Sequence, residues 1–117
     1  MKPRADLTEL YLAIAGAAYE QQLYERAEQW GQRAEGAAAT ESQRYRAKRV
    51  RLMARLSLGV PHDGSQQSFA ALASEVLREA KERGDETSLM DLRAAISASW
   101  ESAPEDLIAG REGADPE

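Results

Sequence analysis

A break in phase near Gln21–Gln22 constrains this chain more than any other feature. Leu7, Leu10, Tyr11, Ile14 and Ala18 recur at helical spacing, and the next turns of that face fall on Gln21, Gln22 and Glu25, all polar. A new apolar face begins at Tyr24 and continues through Ala27, Trp30, Ala34 and Ala37 or Ala38. One straight helix across both stretches would bury half of this pattern and strand the other half in water. A turn near Gln21–Gln22 lets the two halves pack on each other. The pattern therefore predicts a helical hairpin whose second arm contains "LYERAEQWGQRA", Leu23 to Ala34. Neither Gly nor Pro marks the turn, and a single long helix is the alternative.

The rest of the chain reads as further helices. The first arm is expected to start at "DLTE", with Asp6 capping the first turn and Glu9 reaching back in a capping box. "TESQ", Thr40 to Gln43, is a second such box, opening a third helix that runs to about Leu58. "GVPHDG", Gly59 to Gly64, is the clearest loop. A fourth helix follows over roughly Ser65 to Arg83, with Phe69, Leu72, Val76, Leu77 and Ala80 on one face. Its other face sets Glu75 by Arg78, Arg78 by Glu82 and Glu79 by Arg83. Gly84–Asp85 ends it and caps a fifth helix over about Glu86 to Glu101, with Leu89, Leu92, Ile96 and Trp100 inward. Val and Ile are scarce while Ala, Leu, Glu, Gln and Arg abound, which favours helix throughout. The expectation is an all-α domain of about five helices over 1–102. The acidic tail 103–117, rich in Gly and Pro, is expected to be disordered.

At 117 residues the chain has the usual size of one domain. It has no Cys, which excludes disulfides and thiolate chemistry and suits a reducing compartment. No apolar run approaches the roughly 20 residues of a membrane helix, and "MKPRADLTEL" holds no apolar signal core. A soluble cytoplasmic protein is expected. The net charge of −5 disfavours general attraction to DNA or to an anionic membrane.

The first hairpin resembles a tetratricopeptide repeat. Tyr11, Ile14, Ala15 and Ala18 stand at the family's spacing on the first arm, and Ala27, Gly31 and Ala34 on the second. Ala18 and Gly31 replace aromatics of the family pattern, with Tyr19 and Trp30 beside them. Gln22 replaces the turn Gly, and Ala39 the closing Pro. Further on, Ala73, Leu77 and Ala80 repeat the second-arm spacing. Val50, Met53 and Ala54 fit a first arm if the "GVPHDG" loop holds an insertion. The resemblance covers about 7–101 and implies antiparallel helical hairpins, with the fifth helix closing the array. It implies a scaffold for protein–protein contacts that grips a peptide or helix in a groove. A plain four- or five-helix bundle is the alternative fold.

The unusual segment is "RYRAKRVRLMAR" in the third helix, with six basic residues and no acid between Arg44 and Arg55. Arg44, Lys48, Arg51 and Arg55 share a narrow arc. Tyr45, Leu52 and Leu56 lie to one side of it, and Ala47, Val50 and Ala54 to the other. The functional expectation is that Arg44, Tyr45, Lys48, Arg51 and Arg55 form a strip for an acidic segment of a protein partner. The competing expectation is a solvated edge paired with the chain's own acids, such as Glu25, Glu28, Glu35 or the tail. A strip for nucleic-acid phosphates is disfavoured by the net charge. His62 beside Asp63 brings no Ser or Cys nucleophile and at most two metal ligands, so no catalytic residue, metal or cofactor is expected. Trp30 and Trp100 read as core anchors. A small helical array also has open ends, and a homodimer serving as a structural or regulatory subunit would cover one.

Overall fold

The computed structural model describes residues 4–59 and 66–100, and these form an all-α protein. Five helices stand among the described residues: α1 (Arg4–Glu20), α2 (Tyr24–Ala37), α3 (Glu41–Leu58), α4 (Gln66–Arg83) and α5 (Glu86–Ser99). The chain divides into two compact units, Met1–Leu58 and Gly59–Glu117. None of the helices is long and apolar enough to cross a membrane. The tail 103–117 and His62 lie outside the described residues.

The expected hairpin is present, and its turn explains how a chain without Gly or Pro reverses there. Gln22 adopts φ +66°, the left-handed conformation. Its N–H donates to the Tyr19 carbonyl at 2.9 Å, and the Leu23 N–H donates to the Ala18 carbonyl at 2.9 Å. This pair of bonds is a Schellman cap, which satisfies the last carbonyls of α1 and turns the chain sharply. Gly84, at φ +70°, closes α4 with the same two bonds, from Gly84 N–H to Lys81 and from Asp85 N–H to Ala80. Asp85 then accepts from the Ser88 N–H and caps α5 as expected.

In the first unit, α2 packs against α1 on one flank and α3 on the other, and α1 touches α3. Small residues permit this. Ala27, Gly31 and Ala34 form the buried face of α2. Ala27 meets Ala18 and Ala54 in one cluster, and Ala34 meets Leu12 and Ala47 in another. A Cβ built on Gly31 would stand 2.7 Å from Arg51 Cγ and 3.1 Å from Val50 Cγ1, so α2 and α3 approach closely there because Gly31 has no side chain. Tyr19 and Tyr24 fill the turn end of the hairpin, ring centroids 5.4 Å apart.

Two expectations about α1 need correction. The helix starts at Arg4, so Asp6 lies inside the first turn rather than at the cap. The Glu9 carboxylate accepts from Arg46 at 2.9 Å and from the buried Gln43 amide at 3.2 Å, both on α3. The buried face of α1 is also rotated from the expected one. Thr8, Leu12, Ala15 and Ala18 are buried, Tyr11 and Ile14 are half-buried, and Leu7 and Leu10 are exposed. Thr8 can be buried because its hydroxyl donates to the Ala37 carbonyl at 2.7 Å, one of the carbonyls that α2 leaves without a partner at its end.

The box at Thr40–Gln43 is present in a modified form. The Gln43 N–H donates to Thr40 Oγ1 as expected, but the Gln43 side chain accepts from the Ala39 N–H, one residue before the cap. In the second unit α4 packs on α5. Phe69, Ala73, Val76, Leu77 and Ala80 of α4 are buried, as are Leu89, Leu92, Ile96 and Trp100 of the α5 segment. Trp100 meets Phe69 edge to face at 5.0 Å.

Candidate functional site

The arc of α3 lies where helical phase puts it, between two buried flanks. Tyr45, Leu52 and Leu56 are buried on one side, Ala47 and Ala54 on the other, and Val50 is half-buried. What the arc meets is α2. Arg55 Nη1 donates to Glu28 at 2.9 Å, and Arg51 Nη1 donates to Glu35 at 2.5 Å. All four side chains are mostly shielded, between 16% and 30% exposed, so these pairs are held by the fold. Arg44 pairs within its own helix with Glu41 at 2.9 Å, an exposed contact. Lys48 is half-buried. Tyr45 is only 4% exposed, with the Arg49 guanidinium 5.4 Å from its ring centre, and offers no surface to a partner. Two of the four cations are thus committed to Glu28 and Glu35, the acids of the competing reading. One further basic residue, Arg46, belongs to the α1–α3 contact. Together with Gln43 it holds the Glu9 carboxyl below its ordinary pKa of 4.5.

A second surface emerges from the other flank of α2. Arg26, Trp30, Arg33 and Ala37 follow one another at helical spacing along the edge facing α1. Trp30 stacks on Tyr11 of α1 with ring centroids 5.5 Å apart, and the Arg33 guanidinium sits 4.5 Å above the Trp30 ring. Trp30 therefore serves the seam between α1 and α2 and is half-buried, unlike Trp100. Leu7, Tyr11, Arg33, Gly36 and Ala37 line an open cleft of about 410 Å³ at this seam. Beside it runs the uncovered side of α1, where Leu7 is 44% and Leu10 is 54% exposed. Ala13 and Ala17 continue that exposed side.

Sequence reasoning missed this surface because it assigned Leu7 and Leu10 to the core. The available signal was the run Leu10–Tyr19, "LYLAIAGAAY", which contains no charged residue on any side. A helix apolar all round needs cover all round. At the opposite pole Leu23 and Leu58, both exposed, border a smaller cleft of about 320 Å³ with Tyr24 and Arg26. Among the described residues, no group of three or more His, Asp or Glu side chains is placed to hold a metal ion.

Comparison with protein-family models, with curated proteins and with solved structures finds no match.

Proposed function

We propose that this chain is a non-enzymatic protein–protein interaction module built on a tetratricopeptide-like hairpin, working in the cytoplasm. The observation that carries the reading is α1: a helix without charge on any side from Leu10 to Tyr19, covered by α2 and α3 on one side and left with Leu7 and Leu10 exposed on the other. Contiguous apolar surface of this kind on a helix is what a partner covers. The hairpin plan supports the tetratricopeptide-like reading. So does the Glu9–Gln43 bond between α1 and α3, whose separation of 34 residues equals that repeat's period.

The contact surface in this reading is the outer face of α1 with the α1/α2 seam. The α3 strip is secondary, since Arg51 and Arg55 are engaged with α2. A runner-up reading has the same face of α1 covered by a second copy of the chain, as a structural or regulatory subunit. One comparison tests both. Wild type and Leu7→Ser/Leu10→Ser are matched for helicity by circular dichroism, then run in sedimentation velocity and in capture from native lysate. The module reading expects a monomer whose captured protein is lost in the variant. Equal capture by both proteins overturns it, and a wild-type dimer that the variant dissociates establishes the runner-up instead.

A further inference from the structure

We infer that the α1/α2 seam receives an acidic amphipathic helix of another protein. The inference rests on the interaction-module reading and adds the chemistry of the partner.

The charges of α2 are sorted between its two flanks. Two of its three acids, Glu28 and Glu35, face α3 and are neutralised by Arg55 and Arg51, and the third, Glu25, is exposed in the first turn. Its cations Arg26 and Arg33 follow the α1 flank. Both are exposed, and neither has a carboxylate partner among the described residues. Arg33 lies over the face of Trp30, a contact that leaves its outer N–H groups available. Arg33 shares the cleft of Leu7 and Tyr11, with Ile14 continuing that apolar row and Leu10 outside it, and Arg26 lies two turns back along the same edge, by Leu23 and Tyr24. The seam is thus an apolar strip bordered along one side by positive charge.

Shape and charge together select the occupant. Two parallel rows of side chains, one from each arm of a hairpin, form the groove that a third helix fills by ridge-into-groove packing. Arg26 and Arg33 are seven residues apart, about 10.5 Å along the axis, which is two helical turns. The complementary helix carries an apolar stripe and, on one flank, Asp or Glu side chains seven residues apart.

A second copy of this chain fits poorly. Pairing α1 on α1 about a twofold axis makes an isologous contact in which each copy's α2 edge lies beside the other's. The two basic edges then face each other, and like charges across an interface oppose association.

Fluorescence anisotropy on the full chain tests this with two labelled synthetic helices that share one leucine stripe. One bears Glu at two flank positions seven apart, and the other bears Lys there. The acidic helix should bind roughly two- to thirty-fold tighter, the range set by two exposed ion pairs. That preference should shrink as salt rises. Arg26→Glu/Arg33→Glu should invert it at unchanged helicity, while Arg26→Lys/Arg33→Lys should retain it. Equal binding of the two helices at low salt, an unchanged preference in the charge-reversed variant, or binding of neither helix overturns the inference. Equal binding that is lost in Leu7→Ser/Leu10→Ser overturns the acidic partner alone and leaves the module reading standing. Self-association that competes with both helices overturns it in favour of a second copy.

Discussion

Gln22 shows how a single residue carries the hairpin. An L-residue with a Cβ in the left-handed region costs on the order of 1 kcal/mol, yet the Schellman bonds require that conformation. Gln22→Gly should therefore stabilise the protein by about 0.5–1 kcal/mol, read as a higher urea midpoint at constant slope. Gly84→Ala, at the matching position of α4, should cost about as much. Two other glycines separate space from propensity. A Cβ on Gly31 collides with Arg51 Cγ, in the inner part of a side chain already held by Glu35, so Gly31→Ala should cost about 1–3 kcal/mol. Gly16 has nothing within 4 Å of its would-be Cβ, and Gly16→Ala should stabilise by up to about 1 kcal/mol through helix propensity alone. Equilibrium unfolding of the two variants should give opposite signs. Gain of stability in Gly31→Ala would mean that α2 and α3 are not held at this approach. The position of the turn was legible in the apolar phase at Tyr24 and Ala27. The conformation of Gln22 was not, since a left-handed Gln is stabilised by the caps around it and leaves no compositional mark.

Among the elements, α1 is present as expected, but its buried face is rotated from the expected one, for a physical reason. It carries two apolar stripes, Leu7–Leu10–Ile14 and Leu12–Ala15–Ala18, and periodicity cannot say which of them faces α2. Thr8 decides the matter. Its bond to the Ala37 carbonyl brings the start of α1 to the end of α2, and a Thr in an apolar run reads as exposed until its acceptor is known. Thr8→Val keeps the shape and removes the donor. It should cost about 1–2 kcal/mol by leaving that carbonyl unsatisfied, measured by thermal and urea unfolding. On the α3 side, α1 is tied by Glu9. Its folded-state pKa lies below 4.5, lowered first by the Arg46 bond and then by Gln43. The unfolded chain therefore binds a proton more readily than the folded one. The contribution is present in full above pH 4.5 and is lost as pH falls through the lower folded value. Because Arg46 and Glu9 are each nearly half exposed, at 41% and 48%, it is worth only about 0.2–1 kcal/mol. Glu9→Gln should flatten that part of the acid-side stability profile; an unchanged profile would mean that Glu9 is not tied to α3. The helices α3 to α5 were legible to within a residue or two where their ends could be compared, because Thr40, Asp85 and Gly84 announce those ends by residue type. The arc of Arg44, Lys48, Arg51 and Arg55 was legible too. Its engagement by Glu28 and Glu35 depended on the register of α2 against α3, which no single helix encodes.

For the molecule as a whole, net charge and local charge make opposite demands on self-association. The formal charge of −5 keeps copies apart by general repulsion, while the uncovered side of α1 draws them together. The basic edge of Arg26 and Arg33 is the local guard in the seam reading, since a twofold α1 contact sets it against its own image. Arg26→Gln/Arg33→Gln removes that guard but takes the net charge from −5 to −7, because two positive charges are lost. Which effect wins is a question of distance. At about 0.1 M salt the screening length is about 10 Å, so charges spread over the surface are largely screened, whereas edges brought into contact are not. The local effect should dominate. The Gln variant should then show a rise in weight-average mass with protein concentration in sedimentation equilibrium at about 0.1 M salt, where wild type stays monomeric. At about 1 M salt the screening length falls to about 3 Å, and wild type should begin to associate as the variant does. Adding Leu7→Ser/Leu10→Ser should abolish association in both backgrounds. If the Gln variant is as monomeric as wild type at every salt concentration, the two arginines do not guard the seam, and the general negative charge alone keeps the copies of this chain apart.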